Sequence, residues 1–140
     1  MSSITPAMEL VIGLSSLQSH LQKKTDLTLS VHGISFTEFM VMFHLNATAN
    51  KTMRRIDLAD CVNLSASGVT RLLLPMEKNK LVQKAANPRD ARVSLVKLSR
   101  TGEQVFNDTL VSFKESSSSL LQTLDSRQLA KFLELIKVLL

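Results

Sequence analysis

The sequence predicts a mainly α-helical chain carrying one small β-hairpin, and three observations carry that reading. Apolar residues recur at helical spacing on both sides of residues 81–98, as in Leu10, Leu14, Leu17 and Leu21 near the start. From Leu81 to Leu98 the pattern changes to two short runs, LVQKAA and RVSLVKL, flanking Asn87-Pro88-Arg89-Asp90-Ala91. Asn-Pro signals a turn, so run, turn and run read as a hairpin with a basic tip at residues 87–91. Finally, Ser, Thr or Asp stands where an N-cap belongs ahead of most helical stretches.

In order along the chain, Thr5-Pro6 supplies a cap and a proline at the first helical position, opening an amphipathic helix over residues 6 to about 29. Ser35 with Glu38 is a capping box for a second helix, with Phe36, Phe39, Met40 and Phe43 on its apolar side. Residues 46–53 (NATANKTM) read as polar loop. A short helix around Ile56–Val62 and a longer one from Ser65 to about Lys78 follow. Ser99 caps a helix through Phe106, Leu110, Phe113, Leu120, Leu121 and Leu124. Ser116–Ser119 have low helix propensity but leave the phase intact, so they are read as helical, a linker being the alternative. Asp125 with Gln128 resembles a second capping box, and Leu129, Phe132, Leu133 and Ile136 complete an apolar end.

The bulk properties limit the function classes. A chain of 140 residues suits one domain, and at 44% hydrophobic and 21% charged residues it is of ordinary soluble composition. The single cysteine, Cys61, excludes an intramolecular disulfide framework and fits a reducing, cytoplasmic setting. No apolar run approaches the roughly 18–20 residues of a membrane span, and no signal peptide is expected. Residues 51–100 carry a net charge of +7 against −2 for the rest, which suggests one surface built to meet a polyanion. The compact unit expected is residues 35–98. The helices at 6–30 and 100–140 have apolar stripes that they can cover only partly by themselves, so an intertwined homodimer is expected, a monomer with an all-helical sub-core being the alternative.

The stretch IDLADCVNLSASGVTRLLLPMEKNKLV sharpens the reading. Ile56, Leu58, Ala59 and Val62 give one helical face, Asn63 suits a left-handed turn, and Ser65 can cap the next helix. That helix buries Val69, Leu72, Leu73 and Met76 and presents Ser67, Gly68, Thr70 and Arg71 on its other side. This is a helix-turn-helix whose second helix points its polar N-terminal end outward, where backbone amides approach phosphate and Arg71 reaches a guanine edge or a phosphate.

With the run NPRDARVSLVKLSRTGEQVF behind it, this segment resembles the MarR family of winged helix-turn-helix transcription regulators. The likeness is close over about residues 35–110 and is one of layout in the terminal helices. It implies a homodimer joined through those helices, with the helix from Ser65 in the major groove and the wing in or near the minor groove. Carried over, Ser65, Ser67, Thr70 and Arg71 are recognition-helix contacts, and Arg92, supported by Asp90, is the wing arginine. Arg89 adds a basic group at the tip, and Arg54 and Arg55, ahead of the motif, are expected on phosphate. Two features depart from the family pattern. Pro75 lies inside the recognition helix and should kink it, at a typical cost of about 3 kcal/mol. Lys80 replaces the usual glycine terminator, leaving Asn79 to take the left-handed cap.

Other residues favour plainer readings. Cys61 beside Asp60 lacks a basic neighbour in sequence and reads as a passive thiol rather than a redox switch. His20, His32 and His44 lack metal-motif spacing, and His32 next to Gly33 reads as a joint between the first two helices. Met8, Met40, Met42 and Met53 with Phe36, Phe39 and Phe43 are expected around that joint, as ordinary core in preference to a pocket. The expectation is therefore a cytoplasmic, non-enzymatic, cofactor-free regulator with no membrane partner. It would bind pseudo-palindromic operator DNA as a homodimer, act mainly as a repressor, and leave room for release by a small aromatic effector. A helical module binding an acidic protein is the chief rival.

Overall fold

A computed structural model describes residues 3–140. Their elements are α1 (Pro6–Leu29), α2 (Phe36–Asn46), β1 (Thr52–Arg54), α3 (Arg55–Val62), α4 (Ala66–Lys78), β2 (Val82–Ala86), β3 (Ser94–Leu98), α5 (Arg100–Leu120) and α6 (Ser126–Leu139), with 3-10 turns at Ser30–His32 and Ala49–Lys51. The helices begin where local chemistry dictates. The side chains of Thr5, Ser65 and Ser99 accept from the backbone N–H groups of Met8, Gly68 and Gly102. Both arms of the Ser35–Glu38 and Asp125–Gln128 capping boxes are formed. Each such cap satisfies otherwise orphaned amides and contributes on the order of 1 kcal/mol.

Helix α5 runs unbroken through Ser116–Ser119, which sets the linker alternative aside, but it ends at Leu120 and residues 121–124 form a turn, short of the expected Leu124. Ser116 Oγ donates to Thr28 Oγ1 at 3.3 Å, and packing against α1 outweighs weak propensity. The joint between α1 and α2 is held to α5 by a 2.7 Å hydrogen bond between His32 Nε2 and Ser112 Oγ. Phe39 stacks between Phe106 and Phe113 at centroid distances of 5.3 and 4.7 Å, tying α2 to α5. Such ring pairs are worth roughly 0.5–1.5 kcal/mol beyond their burial. Met42 is fully buried, and Met40, Met53 and Phe36 pack on the same core, as the plainer reading expected. Met8 and Phe43 instead face solvent.

The structure corrects three further local expectations. Residues 52–54 are a strand rather than loop, and the sheet is antiparallel in the order β1-β3-β2. Three residues are too few to show alternation; β1 exists because β3 offers a free edge, pairing Met53 with Val96 and Arg54 with Leu95. The wing loop spans 87–93 rather than 87–91, since pairing ends at Ala86 and Ser94. At the end of α4, Lys80 and not Asn79 is left-handed (φ 63° against −84°). Leu81 N–H donates to Met76 O at 2.9 Å and Lys80 N–H to Glu77 O at 3.0 Å. This six-to-one and five-to-two closure buries Leu81 with Met76, so the motif fixes the position and lysine accepts the strain. Helix α4 passes Pro75 without a break.

Two contacts fasten the hairpin to α5. Ser99 Oγ and N–H both donate to Leu81 O, at 2.9 and 3.0 Å. Gly102 then comes so close that a Cβ there would lie 2.1 Å from Leu81 O, which requires glycine. At the far end, no residue of α6 is buried. Leu10 and Leu14 of α1 and Phe132, Leu135, Ile136 and Leu139 of α6 line an open apolar groove. Among the described residues no helix is long and apolar enough to cross a membrane.

Candidate nucleic-acid interface

The turn between α3 and α4 is set by Asn63, left-handed at φ 58° and ψ 45°. Leu64 N–H donates to Ala59 O at 3.0 Å, closing α3 and redirecting the chain. Leu58 and Ala59 face Val69, Leu73 and Met76 across the buried crossing. Because the inward positions are used by this packing, the opposite edge of α4 is left to solvent. Ser65, Ser67, Thr70 and Arg71 are all exposed there.

These side chains are in different states. Ser65 Oγ accepts the Gly68 N–H at 3.1 Å and lies 3.2 Å from Ser67 Oγ. A Cβ on Gly68 would sit 3.2 Å from Ser65 Oγ, crowding that cap. Thr70 Oγ1 donates to Ala66 O at 3.1 Å, turning its hydroxyl back onto its own helix. Among the described residues the Arg71 guanidinium has no hydrogen-bond or ion-pair partner, so its donors are available outward.

The wing is a pair of successive side-chain-to-backbone turns. Asn87 Oδ1 accepts Arg89 N–H at 2.9 Å, and Asp90 Oδ1 accepts Arg92 N–H at 3.0 Å. Asp90 also accepts from Arg92 Nε at 3.2 Å. The Arg92 side-chain and backbone bonds hold the Asp90 carboxyl below its usual range. Arg92 is nonetheless 91% exposed, so this contact orients the guanidinium without covering it. Arg89 projects from the same loop with its side chain unpaired among the described residues.

Arg54 and Arg55 diverge although adjacent. Arg54 is exposed and forks onto Asp57, with Nε–Oδ2 at 2.8 Å and Nη2–Oδ1 at 3.0 Å. That pairing lowers the Asp57 carboxyl and raises the Arg54 guanidinium. Arg55 is turned inward, its Nη2 donating to Glu77 Oε1 at 2.7 Å with both side chains one-fifth exposed. It therefore does not stand free on the surface where phosphate contact was expected. Arg54, Arg55, Ile56, Val69, Thr70 and Val93 line a cleft between the start of α3, the start of α4 and the base of the wing.

Sequence reasoning missed Asp57, Glu77 and this cleft. Asp57 had a legible signal in its spacing of three from Arg54 along a helix start. Glu77, 22 positions from Arg55, had none. Cys61 is exposed on α3, and no group of three or more His, Cys, Asp or Glu residues able to hold a metal occurs among the described residues.

Comparison with known proteins agrees with the geometry. The family described as transcriptional regulator SarA/Rot matches residues 21–109. The HTH-type transcriptional regulator YhbI of Bacillus subtilis is 26% identical over 109 residues, covering 77% of this chain and 70% of that protein. The HTH-type transcriptional regulator MhqR of the same organism is 22% identical over 122 residues, covering 87% and 80%. Among solved structures, a mutant MarR from E. coli complexed with operator DNA superposes with a TM-score of 0.87 at 19% identity, covering 100% of this chain and 99% of that one. AbsC, a MarR family transcriptional regulator from Streptomyces coelicolor, gives 0.86 at 17% identity, covering 99% and 95%. The expected MarR-type winged-helix fold is thus borne out, and the relatives are regulators rather than enzymes.

Proposed function

The chain belongs to the SarA/Rot family of transcriptional regulators, and from that premise we propose that it binds double-stranded operator DNA as a homodimer and represses by occluding promoters. The observation that carries this reading is the outward edge of α4, where Arg71, its side chain unpaired among the described residues, stands beside Ser65, Ser67, Gly68 and Thr70, with the Arg89–Arg92 wing alongside. In this arrangement α4 enters the major groove by its N-terminal half and Arg71 reads a base edge or clamps a phosphate. Arg92, Arg89 and Arg54 contact the backbone or minor groove. The Asp57 and Asp90 contacts are exposed ion pairs of little intrinsic strength, so phosphate competes with them readily. Arg55, held by Glu77, is assigned to the helix crossing rather than to direct contact.

Dimerisation through residues 6–30 and 100–140 is supported by the unburied α6, with Leu133, Leu135, Val138 and Leu139 exposed, and by the apolar groove it forms with α1, since contiguous exposed apolar surface marks an interaction site. Paired recognition helices would then reach successive major grooves, roughly 34 Å apart, on a pseudo-palindrome. Release by a small aromatic effector is supported by a partly open apolar pocket between α1, α2 and α5, lined by Leu21, Thr25, Phe36, Phe113, Leu120 and Leu121, with room of about 140 Å³.

The test is selection of bound sequences from random duplex DNA by the full chain and by Arg71→Ala and Arg92→Ala. Enrichment of a pseudo-palindrome, weakened by both substitutions, is expected. No enriched sequence, or one indifferent to both arginines, would move the preference to a helical module binding an acidic protein. Addition of aromatic acids and phenols to the operator complex tests the effector; unchanged affinity with all of them would remove it.

A further inference from the structure

The pair formed by Arg55 and Glu77 contradicts the local rules at both of its ends. Arg55 is the first residue of α3, where the helix dipole disfavours a cation, and Glu77 lies in the last turn of α4, where it disfavours an anion. Exchanging the two residue types would suit both helix ends better. The contact is also partly desolvated: each side chain is one-fifth exposed, and Arg55 Nε is buried without a hydrogen-bond partner among the described residues. Two unfavourable placements and an orphaned donor persist only where the tertiary arrangement fixes them. Helix α3 is eight residues long and lacks a side-chain N-cap, so little within its own sequence holds its start.

The position of the bond gives it a geometric task. Helices α3 and α4 are joined at one corner by the Asn63–Ser65 turn, and the Arg55–Glu77 bond at 2.7 Å ties the start of α3, which follows β1 directly, to the last turn of α4. Three sides are then closed: α3, α4 and the ion pair. The apolar crossing of Leu58 and Ala59 with Val69 and Leu73 is non-directional and leaves the angle soft, whereas a hydrogen bond between the far ends fixes it. Arg54, next to the clamped residue, is held outward by Asp57 from the same corner.

We propose that Glu77, acting through Arg55, is a positioning residue that sets the angle at which α4 presents Arg71 and its neighbours to base edges. This rests on the DNA-binding reading above. Its signature is a loss of discrimination rather than of phosphate contact, because sequence-independent affinity depends on the number of cations offered and not on the pose of one helix.

The experiment measures affinity of the full chain for its enriched duplex and for a scrambled duplex over a salt series, for wild type, Glu77→Gln and the exchanged double variant Arg55→Glu with Glu77→Arg. Amide exchange in α3 is followed without DNA. Glu77→Gln should lower the ratio of enriched to scrambled affinity about tenfold, with the salt slope on scrambled DNA unchanged and α3 amides exchanging faster than those of α5. The exchanged variant should recover most of the ratio and the protection, since the ratio cancels the general repulsion a new carboxylate brings. A Glu77→Gln ratio equal to wild type, or a loss equal on both duplexes, overturns the positioning role alone. So does an exchanged variant that is folded by circular dichroism yet recovers no discrimination. A wild-type chain that enriches no duplex overturns the DNA reading, and the positioning role with it.

Discussion

The side chains of Arg71 and Arg89 have no partner among the described residues, whereas those of Arg54 and Arg92 are each oriented by a carboxylate two or three positions away. This difference separates their expected effects. Arg71→Ala should cost about 1–3 kcal/mol on the preferred duplex and relax the preference at one base position. Arg92→Ala should weaken binding on all duplexes and reduce the salt slope by about one. Both outcomes are read from affinity over a salt series on matched and single-mismatch duplexes. The wing also titrates with a definite sign. The Asp90 carboxyl is depressed in the folded chain, so its contribution is present above the unfolded value near 3.8 and is lost as pH falls through the lower folded value. The Arg92 amide resonance should therefore shift with a midpoint more acid than 3.8. A midpoint at or above that value would contradict the contact.

At the scale of elements, the junction of α4, β2 and α5 leaves no room for a side chain at Gly102. Gly102→Ala would drive a methyl onto Leu81 O, so a loss of about 2 kcal/mol or more is expected in thermal or denaturant unfolding. Pro75 makes the opposite prediction. It is exposed within α4 and cannot donate to Arg71 O, so Pro75→Ala restores a helical bond. The gain should be up to about 3 kcal/mol, reduced by the greater freedom alanine gives the unfolded chain. A midpoint unchanged or lowered would mean that the proline's local geometry fits α4 better than an alanine does.

For the whole molecule, the prediction concerns the exposed apolar end. Leu133 is half exposed and Phe132 lines the groove between α1 and α6. Leu133→Glu or Phe132→Glu should leave the winged unit folded, since neither belongs to its core, yet yield monomers in sedimentation and weaken operator binding by more than tenfold. Wild-type chains sedimenting as monomers at every concentration would remove the dimer proposal. A monomeric variant that binds operator as tightly as wild type would remove its link to DNA reading.

What the sequence determined by itself was local. Caps at Thr5, Ser35, Ser65, Ser99 and Asp125, the left-handed Asn63 and the helical phase across Ser116–Ser119 each follow from interactions spanning three or four residues. The wing turn at Asn87–Asp90 and the exposed edge of α4 were legible for the same reason. The tertiary structure decided what depends on partners distant in sequence. Strand β1 exists because β3 has a free edge; Lys80 takes the strained cap because Leu81 is drawn onto Met76; Arg55 turns inward because Glu77 lies across the crossing. A capping serine needs only its own helix, but a strand, a strained cap and an ion pair between helices have no energy until the fold brings their two halves together.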